Sequence, residues 1–271
     1  MKTALSVLFL LSAAAMPAQD REFGVAVPTT LTQIRAEPEA YKNVKLHFTV
    51  QFASLGRMSN PFFTKFTPTD FTNFYAWADE QPIWQQPAYE DVFGMLFLSK
   101  NSKKLDRLFS LQLYQRIHAT GIVRNTFQGV PWIEVLDFDV LGEHLDTATL
   151  THLSRGEKMM SQRLWQRAMA ELTLAPGKAV PPHATRAAHK NLGICLLRIG
   201  EVQLALSYLQ SAANLVKCTD AELDNLLAIA KTHPAQAIDR TVDARGIKDS
   251  ERPMWEAFDG DQAPRITKVL R

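Results

Sequence analysis

Cysteine is nearly absent, with two in 271 residues. A disulfide scaffold needs several at regular spacing, so that class is excluded. Charge of one sign is missing as well. Lys plus Arg is 30 against Asp plus Glu at 28, a net of +2. Nucleic-acid clamps carry a marked basic excess. The histidines at 47, 118, 144, 152, 183, 189 and 233 form no His-x-x-x-His pair, and there is no Cys-x-x-Cys. A Gly-x-Ser-x-Gly elbow and a phosphate loop are also lacking. No catalytic residue, no metal ligand and no cofactor is expected, and the chain is not read as an enzyme. After residue 18 no stretch reaches 18 uncharged apolar residues, so no membrane span is expected in the mature chain. Apolar residues at 46% and charged residues at 21% are those of a globular chain, which excludes wholesale disorder.

What is present begins with an address. Met1-Lys2 gives a positive start, residues 4–15 are apolar apart from Ser6 and Ser12, and small residues run to Ala18. This is the pattern of a secretory signal peptide over residues 1–18, cleaved after Ala18 or after Ala15. Its apolar run of about 12 residues is too short to span a bilayer. The protein is therefore expected to be exported, to a periplasm or outside the cell. Cys195 lies within one expected helix and Cys218 at the far end of the next, too far apart for a bridge, so buried free thiols are expected.

Residues 29–145 alternate. Thr30 suits an N-cap for a short helix that Pro38 ends. Val44, Leu46, Phe48, Val50 and Phe52 then alternate with polar residues, which marks a half-buried strand. Residues 73–78 and 92–98 are the next strands, residues 102–114 a helix, and residues 115–124 and 131–141 a hairpin around Gly129. Pro131 opens the last strand, where a missing donor is tolerated.

Three strands, a helix and a hairpin follow the order of the five-stranded oligomer-binding (OB) barrel. The run Leu31 to Leu46 with its Pro38–Tyr41 turn resembles OB-type domains of bacterial envelope proteins. So do Ala119-Thr-Gly-Ile-Val123 and Val130-Pro-Trp-Ile-Glu-Val135, which match that family's closing hairpin. The long loop from Leu55 to Asp70 and the lack of a first-strand glycine depart from the pattern.

OB barrels often stack bases on aromatics beside a positive groove. Phe62, Phe63, Phe66, Phe71, Phe74, Tyr75, Trp77 and Trp84 crowd one stretch, but residues 22–145 carry eleven Lys and Arg against thirteen Asp and Glu. Without clustered cations there is no phosphate affinity, so no nucleic acid is expected. Core and loop packing accounts for most of the aromatics. If the 62–84 segment instead forms a ligand or glycan pocket, Phe74, Trp77 and Trp84 are the residues to line it. Asp137 and Asp139 share a strand face, read as solvated rather than as an acid pair.

From residue 150 the texture is helical. Met159, Met160, Leu164, Trp165, Ala168 and Leu172 recur at helical spacing, so one helix is expected over 150–174, ended by Pro176-Gly177. Residues 186–217 resemble a tetratricopeptide repeat (TPR). Leu192-Gly193 matches its first-helix pair, Gly200 its turn, and Ala205 and Ala212 its small contacts. Leu196 and Leu209 stand where larger rings are usual, and Lys217 replaces the closing proline. Small residues let two antiparallel helices approach closely. A further helix is expected over 219–232, capped by Thr219 with Glu222. In TPR proteins the first helix of each pair lines a peptide groove, and Lys190, Asn191, Ile194 and Arg198 match those positions. Residues 243–271 are expected to form a tail.

The fold class expected is therefore α+β in two domains, an OB-like five-stranded barrel (29–145) followed by a short all-α TPR-like bundle (150–240). The function expected is non-catalytic binding of a protein or peptide partner outside the cytoplasm. The rivals are an envelope ligand- or glycan-binding module and, last, a hydrolase assembled from distant residues.

Overall fold

A computed structural model describes residues 24–57, 65–177, 179–216 and 219–232. The expected signal peptide, Phe62, Phe63, Cys218 and the 243–271 tail lie outside the described residues. The chain opens with β1 (Val27–Pro28) and α1 (Leu31–Ala36). Thr30 caps α1 through a reciprocal pair of bonds with Gln33. The strands β2 (Lys45–Leu55), β3 (Phe71–Ala78), β4 (Phe93–Ser99), β5 (Arg116–Phe127) and β6 (Val130–Val140) then form a closed mixed barrel in the order β2-β3-β4-β6-β5, with β5 returning to β2. The β4–β6 pair is parallel and the other pairs around the barrel are antiparallel. Two short helices interrupt them, α2 (Gln86–Glu90) before β4 and α3 (Leu105–Phe109) after it.

The alternation expected for β2 holds. Leu46, Phe48, Val50 and Phe52 point into the barrel and join Phe74, Leu96, Ile117, Ile133 and Phe138 in its core. The hairpin turn is tighter than expected. Phe127 still pairs with Val130, and Gln128 and Gly129 both take positive φ, as a two-residue primed turn requires. The helix expected over 102–114 shrinks to α3, because the chain must turn into β5 through Tyr114 at φ 67°.

The second half holds α4 (Thr147–Ser161), α5 (Trp165–Leu174), α6 (Pro182–Ile199), α7 (Val202–Leu215) and α8 (Ala221–Thr232). The single helix expected over 150–174 is two. Arg163 takes the left-handed conformation at φ 58°, its N–H donates to Met160 O, and Leu164 N–H donates to Met159 O at 2.9 Å. This is the Schellman stop that Gly200, at φ 89°, makes after α6. Arginine at the left-handed position hides the break from a reading that looks for glycine.

The two hairpins α4–α5 and α6–α7 repeat one another with a 37-residue offset. Gly156 faces Leu172 as Gly193 faces Leu209. A Cβ on either glycine would stand 2.6 or 2.5 Å from the leucine side chain. Ala168, Leu172 and Ala175 are buried, as are Ala205, Leu209 and Ala212. Asp146 caps α4 by accepting from Thr149 N–H, and Asp220 caps α8 by accepting from Leu223 N–H. Asp220, rather than the expected Thr219, is thus the cap. Helix α4 lies against α6, and α6 against α8. The first helix of each hairpin, with α8 after them, forms one row.

Candidate functional site

The barrel and the helices share a buried cluster. Ala53, Trp77, Ile83, Trp84, Tyr89, Val92 and Tyr114 from the barrel side meet Leu150, Leu153, Ala184, Ala188 and Leu192 from the helical side. The pleat explains where this seam falls. Side chains at Gln51, Ala53, Trp77 and Arg116 point outward from the barrel, yet they are buried because the helices cover that end of the strands.

Polar groups buried at such a seam need partners. Arg116 donates to both oxygens of Asp79, at 2.6 and 2.7 Å, and to Glu143 at 3.0 Å. Asp79 follows β3 and Glu143 follows β6, so one guanidinium ties the barrel rim to the segment that leads into α4. Beside it, Gln51 Nε2 donates to Asp79 O at 2.9 Å and lies 3.4 Å from His183 Nε2 at the start of α6. Burial pushes the His183 imidazole down to about 4, with Arg116 adding to the effect and Asp79 and Glu80 opposing it. The ring is therefore neutral at physiological pH, and it stacks on Trp84 at 6.4 Å between centroids.

Glu157 on α4 is the second node. Trp84 Nε1 donates to one of its oxygens at 2.7 Å, Gln85 Nε2 to the other at 2.8 Å, and Asn191 Nδ2 on α6 to the first at 3.2 Å. A carboxylate held by these three neutral donors ties the Trp84–Gln85 turn of the barrel to two helices of the row.

The residues expected to carry binding fall into three groups. Phe74 points into the barrel core and Trp77 is fully buried, with its indole N–H donated to Tyr89 O at 2.9 Å. Trp84 is 3% exposed and turned into the seam. None of the three rings presents a face to a ligand, because two cores need them. Lys190 and Asn191 are also engaged within the chain. Lys190 Nζ lies 3.0 Å from Asp220 and 2.5 Å from Glu222, and Asn191 holds Glu157. Burial opposes the Lys190 charge, but those two carboxylates outweigh it and raise the ammonium above its ordinary range. Ile194 and Arg198 are half-exposed, and the Arg198 guanidinium lies 5.8 Å from the centre of the Trp165 ring. The structure does not gather the four into one open site.

Glu157, His183, Gln51, Asp79 and Arg116 were not legible as a set. The 37-residue offset pointed toward the first two, since it aligns Gly156 with Gly193 and so places Glu157 and His183 on helices of the same row. Cys195 is a buried free thiol, pushed up to about 12 by burial and so inert toward oxidants. Asp137 and Asp139 are 60% and 80% exposed and share Lys104, in keeping with a solvated face. No group of three or more His, Cys, Asp or Glu able to hold a metal ion occurs among the described residues, and no described helix is long and apolar enough to cross a membrane. No known protein family, curated protein or solved structure matches the chain.

Proposed function

We propose that the protein is an exported, non-catalytic binding protein, in which an OB-like barrel anchors a short TPR-like helical array that receives a protein or peptide partner. The observation that carries the reading is the repetition. Two hairpins share one glycine-into-leucine contact, one Schellman turn and one set of buried alanines at a fixed offset, and α8 adds a third first-helix whose Ala230 stands 37 residues past Gly193. Arrays of this kind bind along the row of first helices. The strand order β2-β3-β4-β6-β5, closed by β5 on β2, supports the OB-like description. The Trp84–Gln85 turn occupies the near part of the row, so a partner meets its far part, at Ile194 and Arg198. To reach Lys190 it must displace Asp220 and Glu222.

The test is capture from an envelope extract by the immobilised chain, beside an Ile194→Ala/Arg198→Ala variant whose circular dichroism matches the wild type. Lys190 is left in place because removing it would take a partner from Asp220, the α8 cap, and imitate a lost partner. A protein or peptide retained by the wild type and lost by the variant supports the row as the working surface. Equal retention by both refutes it. N-terminal sequencing of protein recovered outside the cytoplasm should begin at residue 19 or 16. A chain that still begins at Met1 there refutes the cleaved leader.

A further inference from the structure

Beside the part of the barrel's outer face that the helices cover, β2 and β5 carry a pair of imidazoles with a repeated support. Strands β2 and β5 pair His47 with Thr120 and Thr49 with His118, about the central pair Phe48 and Ala119. Antiparallel pairing relates such positions by a local two-fold axis, so the two His–Thr pairs are reciprocal. His47 Nδ1 lies 2.9 Å from Thr120 Oγ1, and His118 Nδ1 lies 3.0 Å from Thr49 Oγ1. The rings stand 5.4 Å apart, with 22° between their planes. His118 is exposed and His47 half-exposed. In each ring the same nitrogen is tied to a hydroxyl across the strand pair, which leaves Nε2 for another partner.

We propose that His47 and His118 form a two-imidazole site for a divalent transition-metal ion, Cu²⁺ foremost, with water in the remaining positions. Metal-bound imidazoles keep their second nitrogen as a hydrogen-bond donor to a fixed acceptor, and a threonine hydroxyl stands within reach of each Nδ1 to accept from it when the ion is bound. That tautomer turns the Nε2 lone pair toward the ion. Two nitrogens bound side by side in the tetragonal geometry that Cu²⁺ prefers are about 2.8 Å apart, so the rings must tilt their outer edges together from the present stack. Imidazole pairs favour Cu²⁺ over Ni²⁺ and Zn²⁺ by the general order of affinities. Two carboxylates stand beside the pair, with Lys45 two residues along β2 from His47. On β6, Asp139 sits opposite His118 and Asp137 opposite Thr120, and both share the single ammonium of Lys104. An anion in the same place would face those carboxylates. The site is separate from the helical row and does not depend on it.

The test uses the full chain, titrated with CuSO4 in a non-chelating buffer, followed by calorimetry and by the nitrogen hyperfine pattern in electron paramagnetic resonance. One ion should bind with a two-imidazole pattern. His47→Asn and His118→Asn should each weaken binding about ten-fold or more and reduce the pattern to one nitrogen. Thr49→Val with Thr120→Val should keep the two-nitrogen pattern but weaken binding about ten-fold, the loss typical of removing the groups that orient metal ligands. His144→Asn, an exposed histidine elsewhere, should change nothing. Affinity within two-fold of the wild type in either histidine variant overturns the proposal, as does a two-nitrogen pattern that survives in the His47→Asn/His118→Asn double variant.

Discussion

Gly193→Ala tests the helical repeat most directly. In an unconstrained helix interior, alanine in place of glycine stabilises by about 1 kcal/mol. At 193 the new Cβ would stand 2.5 Å from Leu209 Cδ2 and 2.6 Å from its Cγ. Leu209 is fully buried, and the obstruction includes its branch point, so rotation of a terminal methyl cannot relieve it. Overpacking of this kind costs about 1–3 kcal/mol. With the propensity gain set against it, a net loss of about 0–2 kcal/mol is expected. Gly156→Ala meets Leu172 Cγ and Cδ2 at 2.6 Å and should lose a similar amount. Urea unfolding with an unchanged slope is the assay, and Ser207→Ala on the exposed side of α7 is the control. Leu209→Ala alone should lose about 2–5 kcal/mol through its cavity. In that background Gly193→Ala should turn neutral or stabilising, a coupling of about 2 kcal/mol. If Gly193→Ala stabilises the intact protein as it would a free helix, the close approach of α6 and α7 is wrong, and the repeat reading goes with it.

Acidification should weaken the seam through His183. Its folded value near 4 lies below the ordinary 6.5, so the unfolded chain takes up the proton first as pH falls. The stability is full above pH 6.5 and declines between 6.5 and 4, by about 3 kcal/mol in all. His183→Gln should flatten that part of a stability-against-pH curve, and an unchanged slope would refute the assignment. Glu157→Ala leaves the Trp84 indole and the Gln85 and Asn191 amides without their acceptor. A loss of about 2–3 kcal/mol is expected by denaturant titration, and a loss below about 0.5 kcal/mol would mean that water replaces the carboxylate freely. Asp220→Ala removes the α8 cap, unpairs Arg186 and leaves Lys190 with Glu222 alone. Amide exchange over residues 221–232 should rise by about ten-fold while the barrel strands keep their protection, and Asp220→Asn, which retains the capping oxygen, should do less.

The barrel was legible because its signals are local. Strict alternation along β2, glycine at the hairpin tip and a helix between the third and fourth strands of the barrel each follow from adjacent residues. The first helical hairpin was hidden by a single substitution. Arg163 occupies the left-handed turn position that Gly200 fills in the second, so the apolar pattern on either side ran together into one helix. The 37-residue offset was present in the sequence all the same, as Gly156, Ala168, Leu172 and Ala175 against Gly193, Ala205, Leu209 and Ala212. A search for the small-residue contacts, rather than for the repeat's large ones, finds it.

The candidate sites were less legible because outward strand positions do not announce what covers them. Along β2 the outward side chains are Lys45, His47, Thr49, Gln51 and Ala53. The first three face solvent to some degree and the last two are buried under the helices. Only Ala53 breaks the polar run, and one alanine does not mark a boundary. The same holds for Arg116 and His118, two residues apart on one face of β5, where Arg116 is 7% exposed in an ion-pair network and His118 is open. Sequence reading assigns the face, and only the pairing register with the docked helices decides its use. That is why the aromatics singled out as a pocket became core, the lysine singled out for a partner became the clasp of a helix cap, and two histidines dismissed for lacking a helical ligand spacing stand beside each other across a strand pair. Ligand spacing along one chain segment tests only sites built on that segment, while a barrel brings side chains from residues 47 and 118 to 5.4 Å between ring centres by closure alone.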